Sequence, residues 1–423
     1  MLYLVASGRA VPSVQAAGPD GLKDAQAVRA LVKAGQPREA LADYDALSQA
    51  SKKEDLALLR EVAFAFIVPL LKDMRDQMRG AGYTALKEIA SDETVPYLED
   101  GLSDGSGMVR ALATEGLARL KAGQKSARFR SALSDQAALV RVGVLKGLGR
   151  SGDRSAIPLV EPALKDEQRM VQAAAAGALV MLGRANAFAH AIKVAETGSP
   201  EDRGTALRIL GELHDRRALP VMQEAAKDRQ PSVRGAAAAA LGDLGDRGTS
   251  ATLLPLLNDP VPAVRSSAAL SLGLLGTTDA VPALKQLFGD QNQAVRASAV
   301  AALLHLGRPF GEVAAVIREL SQHGEPGIRA SAGRALGKAG ANDADEAVAA
   351  LRVLLSDSLP RPRIAAARSL GHVGRPQQGQ EMIQLLKQTL HDQDEAVRAT
   401  AAGALIRWLD GKAGAGKGGP SEG

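Results

Sequence analysis

Apolar residues in this chain keep to helical spacing. In the stretch PSVRGAAAAALGDLGD, residues 231–246, Val233, Ala237 and Leu241 fall at i, i+4 and i+8 and form one stripe, with Arg234 on its flank. Pro231 stands where a helix begins, because the N–H that proline lacks has no intrahelical partner there. Gly245 stands where the helix ends, because glycine accepts the left-handed closing conformation. Nearly the same phrase returns 31 residues later as PAVRSSAALSLGLLGT. Alternation of β-branched and polar residues is scarce, so the pattern predicts helices and no strands.

The return is a period. Stepping by 31 from Arg234 reaches Arg79, Arg110, Arg141, Gln172, Arg203, Arg265 and Arg296, and slightly longer steps reach Arg329, Arg363 and Arg398. Seven residues after each of these eleven anchors stands a leucine, from Leu86 and Leu117 to Leu370 and Leu405. Six residues before it stands Asp in nine copies, Thr197 and His323 being the departures. Eleven after it stands Gly in seven copies: Gly152, Gly183, Gly245, Gly276, Gly307, Gly340 and Gly374. Three residues after it the side chain is small in nearly every copy, which lets a neighbouring helix approach closely.

Ahead of each such helix lies a second amphipathic stretch, as in AIPLVEPALKD, ALPVMQEAAKD and AVPALKQLFGD. Each repeat therefore reads as an antiparallel helix pair, and about eleven stacked pairs make an all-α solenoid over residues 54–410. The Asp lies in the turn, near the positive end of the following helix dipole. An Asp–Arg ladder along the turn edge is expected to set register, each exposed pair contributing roughly 0–1 kcal/mol. Burial of one Leu contributes about 1.5–3 kcal/mol, so leucine supplies the cohesion.

The phrase D-x-x-x-x-V-R-x-x-A-x-x-A-L-G, with proline in the preceding helix, resembles HEAT repeats of the HEAT-like, phycobilisome-lyase type. The resemblance implies a right-handed, armadillo-like superhelix whose second helices line the concave side. It departs at Gln172, at Thr197 with Asp202 in the usual Val place, and at His323, where an irregular stack is expected. The lyases of this repeat type hold a tetrapyrrole on the inner curve, so a phycobilin-lyase-like enzyme or chaperone is the alternative that the resemblance implies. The same repeats serve many scaffolds without catalysis.

Composition narrows the chemistry. There is no cysteine, hence no disulfide, thiolate metal site or thiol nucleophile. The six histidines form no H-E-x-x-H and none has Glu directly beside it, unlike the HEAT-like di-iron hydroxylases. The single Trp408 argues against the HEAT-like DNA glycosylases, which stack aromatics around their substrate. No catalytic residue, metal or cofactor is expected. The net charge of +5 is mild for 423 residues and does not by itself predict a nucleic-acid partner. No apolar run reaches the 18 residues of a membrane span.

At the ends, residues 1–21 read either as a flexible N-terminus or as the remnant of a signal peptide, with VQA before Ala17 as its cleavage site. Cytoplasm is the default compartment, and export follows only if a longer signal peptide lies upstream. Residues 22–53 read as an N-terminal helical cap, and residues 411–423 as a disordered Gly-rich tail. The tail's GKAGAGKG lacks the Ser or Thr, the strand and the helix of a phosphate loop.

Positions five and nine after each anchor point away from the buried stripe. Near the N-terminal end they carry Glu115, Arg119, Lys146 and Arg150; the middle carries Ala239, Asp243, Leu270, Leu274 and Ala301; the C-terminal end carries His305, Arg334, Lys338, Arg368, His372 and Arg407. The leading expectation is a monomeric, non-catalytic scaffold that binds a protein partner, an acidic helix or peptide, along this concave face. Nucleic-acid binding through the basic C-terminal inner face ranks third.

Overall fold

The computed structural model describes residues 24–374 and 379–411, and every regular element among them is a helix. The expected N-terminal segment, residues 1–21, and all of the Gly-rich tail beyond Gly411 lie outside the described residues. The chain divides into two compact units, residues 1–65 and 66–423. In the first, helices Ala25–Lys33, Pro37–Ser51 and Leu56–Ala65 pack on one another, and Arg29 pairs with Glu61.

The second unit contains one anchor helix per repeat: α1 (Asp76–Ile89), α2 (Gly107–Leu117), α3 (Ala138–Ser151), α4 (Arg169–Met181), α5 (Pro200–Glu212), α6 (Pro231–Leu244), α7 (Pro262–Leu274), α8 (Gln293–His305), α9 (Pro326–Leu336), α10 (Pro360–Leu370) and α11 (Glu395–Leu409). Most of the preceding helices are shorter and more broken; in the segment Ile157–Lys165 the interior Pro162 divides one into two short pieces. Each anchor helix packs on the next, whereas the preceding helices touch one another little. The tighter layer is therefore the concave one. All eleven column leucines are buried, none more than 2% exposed.

The solenoid does not end open. Helix α11 packs on α1, with Gly403 against Ala85, and Arg75 pairs with Glu395 at 2.7 Å. The second unit is a closed ring of eleven inner helices. The two ends of the expected groove are neighbours.

The arginine column makes the joints. Arg234 donates from Nε and Nη2 to the two oxygens of Asp259, 25 residues on, at 2.7 and 2.9 Å, and from Nη1 to the Asp228 carbonyl of its own turn at 2.8 Å. Asp259 also accepts from the Val261 N–H at 2.8 Å, which shapes the turn. The same fork joins Arg79 to Asp104, Arg110 to Asp135, Arg141 to Asp166, Arg265 to Asp290, Arg329 to Asp357 and Arg363 to Asp392. These pairs are largely covered, with 5–17% of each side chain exposed, not the exposed ladder expected from sequence, because the adjoining repeat covers each turn.

The irregular copies prove to be matched. Gln172 and Thr197 are the two halves of one missing joint; Gln172 keeps only the bond to its own turn, on the Asp166 carbonyl at 2.6 Å. Where His323 replaces Asp, Arg296 turns to Glu319 instead, at 2.6 Å from Nη1 to Oε1.

Glycine performs two tasks. Gly152, Gly183, Gly245, Gly276 and Gly307 close their helices at positive φ, and in two copies without glycine Ala90 and His214 take the same conformation at φ 51° and 50°. Gly340 and Gly374, expected to close theirs likewise, do not: α9 and α10 stop earlier, and a Cβ on Gly374 would lie 2.5 Å from the Ala341 nitrogen. Glycines eight residues after the anchor allow close approach; a Cβ on Gly273 would stand 2.7 Å from the Ala302 Cα.

Three outcomes follow from this geometry. Gly307→Ala, with open space around it, isolates the backbone cost of φ +70° and should lower stability to urea by about 1 kcal/mol, while Ala90→Gly raises it and Gly273→Ala lowers it further through the clash. Burial pushes the Asp259 carboxyl up, but the Arg234 fork, the Val261 N–H and the charges of Arg234 and Arg265 outweigh it and hold it below its ordinary 3.8. A carboxyl lowered by folding stabilises above its unfolded value, and that contribution is lost as pH falls through the folded value. The urea midpoint should therefore hold down to about pH 4 and drop below it, with a smaller drop in Asp259→Asn, while Asp259→Ala costs about 3–5 kcal/mol at neutral pH. Closure itself is read by Ala85→Cys with Gly403→Cys: a Cβ at position 403 would lie 3.3 Å from that of Ala85, and the chain has no other cysteine. Mild oxidation should give a monomeric cross-link with altered mobility on a non-reducing gel, and neither single variant should do so.

Candidate functional site

Because α11 meets α1, the inner columns form a continuous wall. Apart from His305 at the end of α8, the basic residues assigned to the C-terminal end lie on α9, α10 and α11 or just past their ends, and Arg119 follows α2 on the far side of the seam. Between them stands Glu88, near the end of α1.

His372 Nε2 lies 2.9 Å from Glu88 Oε2. Arg407 donates from Nε to the Gly371 carbonyl at 3.0 Å and from Nη1 to the Glu88 carbonyl at 3.4 Å, tying three helices together at the seam. Burial pushes the Glu88 carboxyl up, but the hydrogen bond and charge of His372, with Arg368 and Arg119, overcome it and hold it at about 2. Glu88 is an anion in a cationic surround.

The cations feel one another. Arg334 is pushed below its ordinary range by desolvation and by Arg361 and Arg368; its Nη2 donates only to Ser331 Oγ, at 2.6 Å, within its own helix. Arg407 is pushed down by desolvation, with Glu88 opposing and Arg119 adding to the shift. The Arg368 Nε is buried and meets no acceptor among the described residues. Lys338 is exposed on the same wall and His305 is half-buried at the end of α8. At the seam only a water-sized cleft of about 10 Å³ remains, lined by Glu88, Arg368, His372 and Arg407 among others.

The remaining pair is held differently. Lys146 and Arg150 both reach across α4 to Glu212 of α5, at 2.5 and 3.0 Å. They bound a concavity of about 340 Å³ on α2, α3, α4 and α5, together with Glu115, Arg119 and Arg208. The expected set thus divides into an arc around the seam and a pair that shares the one carboxylate of Glu212.

Glu88, Arg208 and Glu212 were not singled out from sequence, although they occupy the same five- and nine-residue columns, after Arg79 and Arg203. The columns of those two copies carried the signal. What no column shows is that Glu88 faces His372, 284 residues away.

The family described as HEAT repeats matches residues 126–201, 188–261, 250–315 and 313–406. No curated protein matches the chain in sequence. Among solved structures, the CpcE–CpcF complex of phycocyanin lyase from Nostoc sp. PCC7120 is 21% identical, over 60% of this chain and 94% of that one, with a TM-score of 0.39. Human deoxyhypusine hydroxylase is 23% identical, over 62% of this chain and 98% of its own, with a TM-score of 0.29. Kap121p bound to Nup53p is 14% identical, over 90% of this chain and 53% of that one, with a TM-score of 0.36. None of these likenesses bears on what this chain binds.

Proposed function

Starting from a chain that belongs to the HEAT-repeat proteins, we propose that it is a non-catalytic binding scaffold whose inner wall receives an acidic segment of a protein partner. The observation that carries this reading is the charge around the seam. From α9 to α1 the two inner columns present Arg334, Lys338, Arg368, His372 and Arg407 against the single carboxylate of Glu88. Desolvation lowers both Arg334 and Arg407; Arg361 and Arg368 add to it at Arg334, and at Arg407 Glu88 opposes it while Arg119 adds to it. An acidic helix or peptide relieves that repulsion, and such complementarity speeds and selects encounter. Repeat surfaces suit extended partners.

The test reverses Arg334, Lys338 and Arg368 to Glu and leaves Arg407, which holds the seam. A labelled Glu- and Asp-rich peptide should bind the native chain in fluorescence anisotropy and weaken at least roughly tenfold in the variant, with a strong salt dependence in the native chain alone. Equal affinity for both proteins would remove the arc from the reading. Tighter binding of duplex DNA than of the peptide would transfer it to nucleic acid.

A further inference from the structure

A different part of the wall departs from what stacking requires. Two residues before the anchor, α2, α3 and α4 carry Met108, Leu139 and Met170, where the later helices α6, α7 and α8 carry Ser232, Ala263 and Ala294. Those later repeats stack as closely with small residues, so the large side chains are not needed for the ring. Met108 is 64% exposed and Leu139 53%, among the most exposed large apolar side chains of the molecule. With Leu112 and Val142 they form the apolar floor of the 340 Å³ concavity. Met170 beside them is covered, 9% exposed, and closes the floor at that end; adjacent exposed apolar residues on neighbouring inner helices mark a contact surface.

Spacing and charge identify the occupant. Neighbouring inner helices lie about 8–10 Å apart, close to the ~11 Å of two helical turns. A helix crossing α2, α3 and α4 would thus set one apolar residue, at seven-residue spacing, over each of the exposed Met108 and Leu139, with a third against the covered edge of Met170. Along the inner helices, Lys146, which shares Glu212 with Arg150, stands seven residues beyond Leu139, and Arg208 occupies the matching place on α5; Glu115, in that place on α2, is engaged by Lys87 at 2.8 Å. Seven residues rise about 10 Å, one helix diameter, so both cations border the flank of such a helix. Arg208 makes only long bonds within its own helix, to the Gly204 carbonyl at 3.4 Å and Thr205 Oγ1 at 3.2 Å.

We propose that this wall docks an amphipathic helix of a partner protein, its apolar stripe on Met108, Leu139 and Met170 and its acidic flank along Lys146 and Arg208. The surface is distinct from the arc around the seam and is driven by apolar burial, so it stands or falls independently of the acidic-segment reading.

The probe is a labelled synthetic helix of about 21 residues, with Leu at seven-residue spacing and Glu along one flank, titrated against the full chain at physiological salt. Met108→Ser, Leu139→Ala and Met170→Ala together adopt residue types of the other repeats, and retained helicity and unfolding midpoint confirm that the ring is intact. Affinity should fall at least tenfold in this triple variant and a few-fold in Arg208→Glu. It should be unchanged in the variant with Arg334, Lys338 and Arg368 reversed, and absent for the peptide with Leu replaced by Ser. Undiminished binding to the triple variant would overturn the proposal. So would binding of dodecanoate without binding of the helix, which would make the floor a site for small amphiphiles.

Discussion

The ring depends on a two-pronged bond between repeats. A guanidinium presents parallel donors that match both oxygens of a carboxylate, which lysine cannot do, and its third nitrogen reaches back to its own turn. One side chain thereby fixes the turn it belongs to and the distance to the next. The bond is buried, so either half left alone is costly. That explains why Gln172 and Thr197 depart together, and why Glu319 supplies the carboxylate that His323 does not.

Curvature comes from unequal layers. Inner helices carry Ala and Gly where they face one another and approach closely, as at Gly273 on Ala302, while the preceding helices stay apart. Each repeat is therefore a wedge, and repetition of a wedge turns the stack. After eleven repeats α11 meets α1, with Gly403 against Ala85. Closure removes the apolar end faces that an open solenoid must cap. At the seam Arg75 lies between Asp73 and Glu395, His372 meets Glu88, and Arg407 donates to two carbonyls.

Closure also redistributes charge. Arg119 and Arg407 stand near opposite ends of the solenoid in sequence, yet both act on Glu88, Arg119 from the next helix and Arg407 across the seam. Lys146 and Arg150 are answered by Glu212, leaving the arc from α9 to α11 as the cationic side of the lumen. The apolar floor on α2, α3 and α4 gives the wall a second character. The ring thus carries one cationic and one apolar sector.

Sequence alone determined the repeat. Helices, their starts at proline, the buried leucines, the small positions and the Asp-to-Arg spacing are properties of neighbours in the chain, where 3.6-residue periodicity and capping act. The inward direction of Arg334, Arg368 and Arg407 was legible in the same way. Tertiary structure decided what periodicity cannot carry. The turn angle per repeat is a small difference between two packing distances, and only its sum over eleven copies closes the ring. From that sum came the meeting of Glu88 with His372, while the stacking of neighbouring repeats covered the arginine forks and brought Glu212 to Lys146 and Arg150. Each joins residues on different repeats, and its strength depends on solvent that only the assembled wall excludes.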